Sequence, residues 1–112
     1  MNTIEFEISE VSPGGNVWER MNRFKRKELK DRWTWLLLSK CKARFKGKVR
    51  ITYTRISPKL LDPMDNLPTS FKPIGDALQK AGIIENDGTD YVECVIKQFQ
   101  GPPKTIIKIE KI

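Results

Sequence analysis

The sequence contains no histidine and only two cysteines, and these absences exclude several classes of catalytic and metal site. Cys41 and Cys94 are far apart and lack Cys-x-x-Cys spacing, so a zinc site of the usual composition has too few ligands. Without histidine, Ser-His and Cys-His catalytic arrangements are excluded. An enzyme built on this chain must therefore rely on carboxylates, lysine or arginine, hydroxyl groups and a hard metal ion.

Long apolar segments are also missing from the sequence. No run approaches the roughly 18 apolar residues that a membrane-spanning helix needs. The first ten residues form neither a basic leader nor an apolar signal core, and we therefore expect a cytoplasmic protein. The 112 residues, of which 38% are hydrophobic, suffice for one modest core and predict a single domain spanning residues 1–112.

Positive charge is abundant but unevenly distributed. The formal net charge of +7 indicates a polyanionic partner, of which nucleic acid is the commonest. Residues 1–19 carry four acids and no base, residues 20–50 carry thirteen bases and two acids, and residues 51–112 carry eight of each. A solvated helix face is the alternative interpretation of the basic segment, but we favour contacts with DNA phosphates. The predicted DNA-contacting residues are Arg20, Arg23, Lys25, Arg26, Lys27, Lys30 and Arg32.

Hydrophobic periodicity predicts an α/β (α+β) fold, namely a small single domain with a mixed sheet of about four strands and two helices packed on it. The second helix is expected to be capped by Ser70 or Thr69 at its start and by Gly82 at its end. The predicted elements are, in chain order, a strand at residues 4–8, a helix at 21–45, a strand at 49–54, a helix at 71–81, and strands at 91–98 and 105–112.

The aromatic residues of the basic segment divide into two groups. Trp33 and Trp35, together with the leucines of the long helix, are predicted to lie in the core. Trp18 and Phe24 are flanked by charged residues. For these two, packing at a dimer interface and stacking on a splayed base are both open.

Acidic side chains occur in two turns, which we expect to carry any chemistry. Asp62 and Asp65 follow the second predicted strand, and Asp87 lies in a turn before the third. Ligands of α/β sheets bind where strands run into loops, and the two turns could meet at one end of the sheet. Two or three converging carboxylates are suitable ligands for Mg²⁺. The alternative is that these acids are solvated or cap helices.

Lys72 and Asp76 lie on the predicted second helix. Lys72 falls in the first turn, where the helix dipole disfavours a cation, so an acidic neighbour or a bound phosphate is expected close to it. For Asp76, the favoured interpretation is an ion pair with Lys80, four residues further along the helix.

The order and spacing of several short motifs resemble a known family. Lys72 stands four residues before Asp76, and Asp87 stands eleven residues after Asp76. The N-terminal strand, the proline-containing turn and the basic segment agree with the same pattern. With these motifs the chain resembles the RusA-like Holliday junction resolvases, a family of crossover junction endodeoxyribonucleases that are mostly prophage-associated, over nearly its whole length. The remaining motifs are Asp65-Asn66-Leu67, Asp76-Ala77-Leu78, Ala81-Gly82, Ser12-Pro13 and Asn16.

The resemblance implies a dimeric, Mg²⁺-dependent nuclease, with Mn²⁺ as a substitute metal, that nicks two opposing strands of a four-way DNA junction in recombination and repair. It implies Asp65 and Asp87 as metal ligands, with Asp62 as the nearest match to the first acid of the family's Asp-x-Asp-Asn motif. Here that acid stands three residues before the second instead of two. Lys72 would be the catalytic lysine, and Asn66 would support the site or contact a phosphate.

The inventory of residues fits this chemistry, because carboxylate-held metal ions hydrolyse phosphodiesters without histidine. A non-catalytic basic nucleic-acid-binding module is the alternative, and binding to a membrane surface is less favoured. No small-molecule cofactor and no membrane partner are expected. Paired nicking requires two copies of one small domain, so we expect a homodimer. The candidate interface comprises the strand edges at 91–98 or 104–112 and the side chains of Trp18 and Phe24.

Overall fold

The strands of the protein form one mixed four-stranded sheet, as seen in a computed structural model that describes residues 3–112. The sheet order is β1-β4-β2-β3, with β4 antiparallel to both neighbours and β3 parallel to β2. The predicted fold class is therefore confirmed. The elements are β1 (Thr3–Ile8), α1 (Gly15–Arg20), α2 (Arg23–Lys40), β2 (Val49–Ser57), α3 (Asn66–Ser70), α4 (Lys72–Lys80), β3 (Val92–Gln100) and β4 (Lys104–Lys111).

The hydrophobic core lies between one face of the sheet and the helices α2 and α4. Alternate residues of β2 and β4 are buried, as the period of two predicts for a sheet covered on one face. Each fully buried isoleucine or leucine contributes about 1.5–3 kcal/mol of hydrophobic stabilisation. The fully buried side chains at the centre include Ile51, Tyr53, Ile107 and Ile109 from the strands and Trp33, Leu37, Ile74 and Leu78 from the helices.

Helix α2 begins and ends inside its predicted bounds of 21–45. Asn22 caps its start, where the side-chain oxygen accepts a hydrogen bond from the Lys25 N–H at 2.9 Å. At its other end Cys41 has an extended backbone. Phe45 N–H donates to the carbonyl of Ile83 at 2.8 Å, which fixes the segment after α2 against the segment after α4. A tertiary contact therefore replaces the last predicted helical turn.

Two short helices, α1 and α3, were not predicted from the sequence. They pack on each other so closely that a Cβ atom added at Gly15 would lie 2.8 Å from the Cβ atom of Thr69. Glycine is thus required at residue 15 by the close approach of the two helices.

The predicted cap of the second helix is wrong at its start and right at its end. Ser70 belongs to α3, where its hydroxyl donates to the carbonyl of Leu67 at 2.6 Å and lies 2.9 Å from the hydroxyl of Tyr53. The N-cap of α4 is Phe71. Gly82 follows the C-cap with a φ of +76°, the left-handed conformation expected of a glycine that terminates a helix.

The tryptophans of α2 face opposite sides of the helix, so the prediction that both are buried is wrong. Trp33 is 1% exposed and Trp35 is 77% exposed. Two residues advance an α-helix by about 200°, which places consecutive odd positions on different faces. Trp18 is buried beneath Arg26 and Lys30, which lie 4.9 and 5.6 Å from its ring centroid.

The strand at residues 104–112 is not an edge, which corrects one of the expected dimer surfaces. β4 pairs with β1 on one side and with β2 on the other. β3 lies at one edge of the sheet, and Phe24 on α2 is 68% exposed. Within residues 3–112, no helix is both long and apolar enough to cross a membrane.

Candidate functional site

The structure places the predicted acidic residues at separate positions. Asp62 is exposed, and its carboxylate accepts a hydrogen bond from the Met64 N–H at 3.1 Å. Asp65 is exposed at the N-cap position of α3 but makes no side-chain capping bond. Over residues 3–112, no group of three or more Cys, Asp or Glu side chains is arranged to hold a metal ion. Asp62, Asp65 and Asp87 therefore do not form one cluster.

Asp87 is instead paired with Asp76, a residue to which sequence reasoning gave no site role. Their carboxyl groups lie close enough that interaction between them shifts the pKa of each. The turn that carries Asp87 is held against α4, because the Asp87 N–H donates to the side-chain oxygen of Gln79 at 3.0 Å. Asn86 tightens this turn by accepting a hydrogen bond from the Gly88 N–H at 2.7 Å. Two carboxyls thus meet at the surface of α4.

The electrostatic environment moves the two carboxyl groups in opposite directions. The pKa of Asp87 is raised by its hydrogen bond to Asp76, by partial burial and by the negative charge of Asp76. For Asp76, partial burial acts to raise the pKa, but hydrogen bonds from Asp87 and Lys30 and the charges of Lys30 and Lys72 lower it. As the pH falls, Asp87 therefore takes up a proton before Asp76 does, and a cation between the two groups would meet oxygens of both.

The preferred ion pair of Asp76 differs from the one predicted. Asp76 is paired with Lys30 of α2 at 2.8 Å, whereas Lys80 is paired with Asp31 at 2.7 Å. The packing of α2 on α4 brings these partners together, and this tertiary contact prevails over the local pair between Asp76 and Lys80. We call the residues that carry these pairs the α2–α4 seam; it comprises Lys27, Lys30, Asp31, Asp76 and Lys80.

Asp31 lies at the middle of the α2–α4 seam. Its carboxylate accepts hydrogen bonds from Lys27 at 2.8 Å and from Lys80 at 2.7 Å. These two bonds lower the pKa of Asp31 to about 2. Asp31 therefore stays ionised through the neutral and mildly acidic range.

Lys72 lies at the first position of α4 and is exposed. Its expected acidic neighbour is Asp76, one turn further along, where the charge of Lys72 helps to lower the pKa. Lys72 also lines a pocket together with Trp18, Arg26 and Phe71. The predicted catalytic lysine is thus close to the carboxyl pair, although no carboxylate within residues 3–112 forms an ion pair with it.

The predicted DNA-contacting residues fall into two sets. In the first, Lys27 and Lys30 have acidic partners in the α2–α4 seam, and Arg32 donates twice to Glu10, at 2.9 and 2.8 Å. Arg26 belongs with them because it donates to the main-chain carbonyls of Trp18 and Glu19.

The second set is free to meet an external anion. Within residues 3–112, Arg20 and Arg23 have no acid within ion-pair distance, and Lys25 has only a long contact of 3.9 Å with Glu28. Basic residues whose charges are already paired within the fold contribute less to DNA binding than those whose charges are uncompensated. The charge count of the sequence could not separate the two sets.

A second site, missed by sequence reasoning, surrounds Arg55 on β2. Arg55 is 6% exposed, and its Nε and Nη2 donate to the carbonyl of Ser12 at 3.2 and 3.1 Å. The sequence did carry a signal, because Val49, Ile51 and Tyr53 alternate inward and residue 55 takes the next inward position. We call the adjoining cavity of about 370 Å³ the Arg55 pocket; it is lined by Pro13, Gly14, Asn16, Val17, Arg55, Ser57, Lys59, Leu60, Leu61, Asp62 and Asn66.

Comparison with models of known protein families finds none that matches the chain, and comparison with curated proteins finds no match either.

Proposed function

We propose that the protein is a Mg²⁺-dependent endodeoxyribonuclease that resolves four-way DNA junctions, with Asp76 and Asp87 as its metal-holding carboxylates. The observation that carries this proposal is the contact between these two carboxyl groups beside Lys30 and Lys72. Like-charged carboxylates repel each other unless a proton or a cation lies between them. Carboxylate oxygens are also the ligands that Mg²⁺ takes from proteins.

The donor set fits a hard divalent cation that keeps part of its water, since two carboxylates are enough when solvent completes the coordination. When bound, the metal would supply an activated water and neutralise charge on a phosphoryl group. Lys72, which forms no ion pair within residues 3–112, would hold the phosphate of the DNA beside the acids, while Lys30 orients Asp76. Asp62 and Asp65, which lie outside this pair, stay predictions as further ligands.

The substrate proposal follows from the position of the free cations. Arg20 and Arg23 lie where α1 meets α2, the helix that also carries Lys30 to the carboxyl pair. A strand held by these arginines could therefore approach the two acids through its phosphates without any reading of bases. Cleavage of two opposing strands requires a second copy, with the β3 edge and Phe24 as candidate contacts.

A non-catalytic nucleic-acid-binding module is the second candidate. It is favoured by the internal uses of two acids: Asp62 accepts from the Met64 N–H, and Asp76 forms an ion pair with Lys30. In this reading the acids stabilise turns and helix packing, and the uncompensated arginines alone carry the function.

The test is nicking of a synthetic four-way junction with Mg²⁺, with Mn²⁺ and without metal. We expect metal-dependent paired nicks, and a loss of about 100-fold or more in Asp76→Asn and Asp87→Asn, as for removal of one essential electrostatic group. Asparagine has the shape of aspartate and still forms hydrogen bonds, so both variants should bind the junction as the wild type does. Glu7→Gln makes the same change of charge at an exposed position of β1 and is the matched control.

Three outcomes would contradict parts of this proposal. Junction binding without nicking under either metal would favour the binding module. Wild-type nicking by Asp76→Asn and Asp87→Asn, with loss in Asp65→Asn, would move the metal to the α3 end. A protein that sediments as a monomer with and without junction DNA could not be a paired-nicking resolvase.

A further inference from the structure

Arg55 is a buried cation without a counterion. Among the residues that the structure describes, no carboxylate lies within ion-pair distance of its guanidinium. Its only hydrogen-bond acceptor there is the Ser12 carbonyl, which receives two of the five N–H donors that a guanidinium carries. Burying a charge is costly unless an opposite charge or a full set of hydrogen bonds compensates it. Within residues 3–112 the Arg55 guanidinium is therefore only partly compensated, which leaves it available to an external anion.

The free part of Arg55 is open to the Arg55 pocket. Within residues 3–112, Nη1 of Arg55 makes no hydrogen bond. It is nevertheless not fully enclosed, because the only fully enclosed side-chain N or O atom without a partner in these residues is the hydroxyl oxygen of Ser12. Nη1 is consequently accessible, and Arg55 lines the cavity beside it. Lys59, exposed on the segment after β2, adds a second positive charge to the same lining.

Two carboxamides extend the set of donors. The Asn66 side-chain oxygen accepts from the Asn16 N–H at 3.0 Å, and the Asn16 side-chain oxygen accepts from the Val17 N–H at 2.9 Å. Because these backbone donors fix the amide orientations, the NH₂ group of each side chain is left to donate elsewhere. Neither NH₂ group has an acceptor within residues 3–112, and both residues line the Arg55 pocket.

The lining thus combines a guanidinium, an ammonium and two amide NH₂ groups from β2, the following segment, α1 and α3. Its single carboxylate, Asp62, is already engaged by the Met64 N–H. Donors from four elements around one cavity suit an anion with several acceptor oxygens, and a phosphate offers more of these than a carboxylate does. Val17, Leu60 and Leu61 add apolar surface to the same lining.

We propose that the Arg55 pocket binds a phosphate group. The site is separate from the Asp76–Asp87 pair and does not depend on nuclease activity. Its ligand is inorganic phosphate or a phosphate carried by a nucleic-acid strand, and the two sources share the same chemistry at the guanidinium.

The test is a titration followed by NMR at the Arg55 Nε–H and the NH₂ groups of Asn16 and Asn66. Inorganic phosphate is added at constant ionic strength, balanced by chloride. A single-stranded oligodeoxynucleotide with a 5′-phosphate and the same oligonucleotide without it form the second arm. We expect saturable shifts at all three groups with phosphate and none with chloride alone.

Two variants and one control assign the effect to the pocket. Arg55→Lys keeps one donor for the Ser12 carbonyl but loses the fork, and should weaken phosphate binding about tenfold or more. Lys59→Gln removes an exposed charge without disturbing the core, and should weaken it roughly threefold. Arg32→Gln makes the same change of charge at a residue paired with Glu10 outside the pocket, and should leave the affinity unchanged.

The outcomes separate clearly. Shifts with both inorganic phosphate and the phosphorylated strand support the site for either source, and shifts only with the phosphorylated strand support it for nucleic acid. Unmoved resonances in both arms overturn the proposal. The proposal is also overturned if Lys59→Gln and Arg32→Gln change the midpoint of the phosphate titration equally, since an equal change would report general charge attraction. If Arg55→Lys fails to fold, the titrations of the wild type and of Lys59→Gln still show whether phosphate binds in the Arg55 pocket.

Discussion

The α2–α4 seam and the Arg55 pocket hold their cations in opposite ways. In the seam, Lys27, Lys30 and Lys80 each have a carboxylate partner within 2.8 Å and all are partly exposed. Arg55 is buried, and within residues 3–112 the Ser12 carbonyl is the only hydrogen-bond acceptor of its guanidinium. Exposed pairs are worth about 0–1 kcal/mol each, whereas an uncompensated buried charge costs several. The ion pairs of the seam therefore add little to the free energy of unfolding. The buried charge of Arg55 is unfavourable to the fold, and a bound anion would reduce this cost.

The largest expected effect comes from forcing apart α1 and α3, the helices that carry Asn16 and Asn66 of the Arg55 pocket. Gly15→Ala places a methyl group 2.8 Å from the Thr69 Cβ atom, so α1 must move away from α3. We expect a loss of about 1–3 kcal/mol in the free energy of unfolding, measured by urea denaturation. The hydrogen bond from the Asn16 N–H to Asn66 should break at the same time, with a change in the Asn66 NH₂ resonances.

Gly75→Ala is the matched control for this change, because it is also a helical glycine. Its new Cβ atom would meet the ring of Phe71 at 3.2 Å, a side chain that can shift. The gain in helix propensity offsets part of that contact, so the net effect should be much smaller. Equal losses in the two variants would show that α1 and α3 do not require a glycine between them.

The next effect concerns DNA affinity and sharpens the distinction between paired and uncompensated cations. The double variant Arg20→Gln, Arg23→Gln removes two charges that have no acidic partner in residues 3–112. Each lost phosphate contact should reduce the slope of log affinity against log salt by about 0.9, which gives a change of about 1.8. Fluorescence anisotropy with labelled duplex or junction DNA over a range of salt concentrations measures this slope.

Lys27→Gln, Arg32→Gln removes the same total charge from residues that have acidic partners. Its slope should change much less, because these cations are already neutralised within the fold. Indistinguishable slopes for the two double variants would mean that ion pairing within the protein does not select the residues that contact DNA.

The smallest effect is a pH dependence in the α2–α4 seam. The pKa of Asp31 is lowered from 3.8 to about 2 by the hydrogen bonds from Lys27 and Lys80. A carboxylate with a lowered folded-state pKa stabilises the fold above pH 3.8 and loses this contribution as the pH falls through about 2. Asp31→Asn lacks the contribution, so the stabilities of wild type and variant should converge over that window, as measured by urea denaturation. A constant difference would exclude the carboxylate as its source.

Much of the fold could be predicted because a sheet covered on one face imposes a strict period of two. The alternation of Ile4, Phe6 and Ile8 gave β1, and the alternation of Val49, Ile51 and Tyr53 gave β2. The short helices could not be predicted in the same way. α1 starts from a Gly-Gly pair and α3 contains Pro68, so both read locally as turns, and it is their mutual packing that stabilises the helical form.

The candidate site was harder to predict, because its pairs are made across elements. Local rules favoured Lys80 as the partner of Asp76, but Lys80 is drawn to Asp31 by the packing of α2. Asp87 reaches Asp76 because Gln79 fixes the intervening turn. Asp62 and Asp65 precede α3, a helix that the sequence did not reveal, and their predicted convergence with Asp87 did not allow for it.

The interior position of β4 bears on how the chain folds during synthesis. β1 is hydrogen-bonded in the sheet to β4 alone, and the register joins Ile4 to Ile109. The hydrogen-bonding edge of β1 therefore has no partner until β4, about 100 residues later, has been synthesised, which at 5–20 residues per second takes roughly 5–20 s. Pairings of such long sequence separation also close slowly once both strands are available. We expect β1 to stay unpaired throughout this interval, with α2 as the earliest element on which Phe6 and Ile8 can pack.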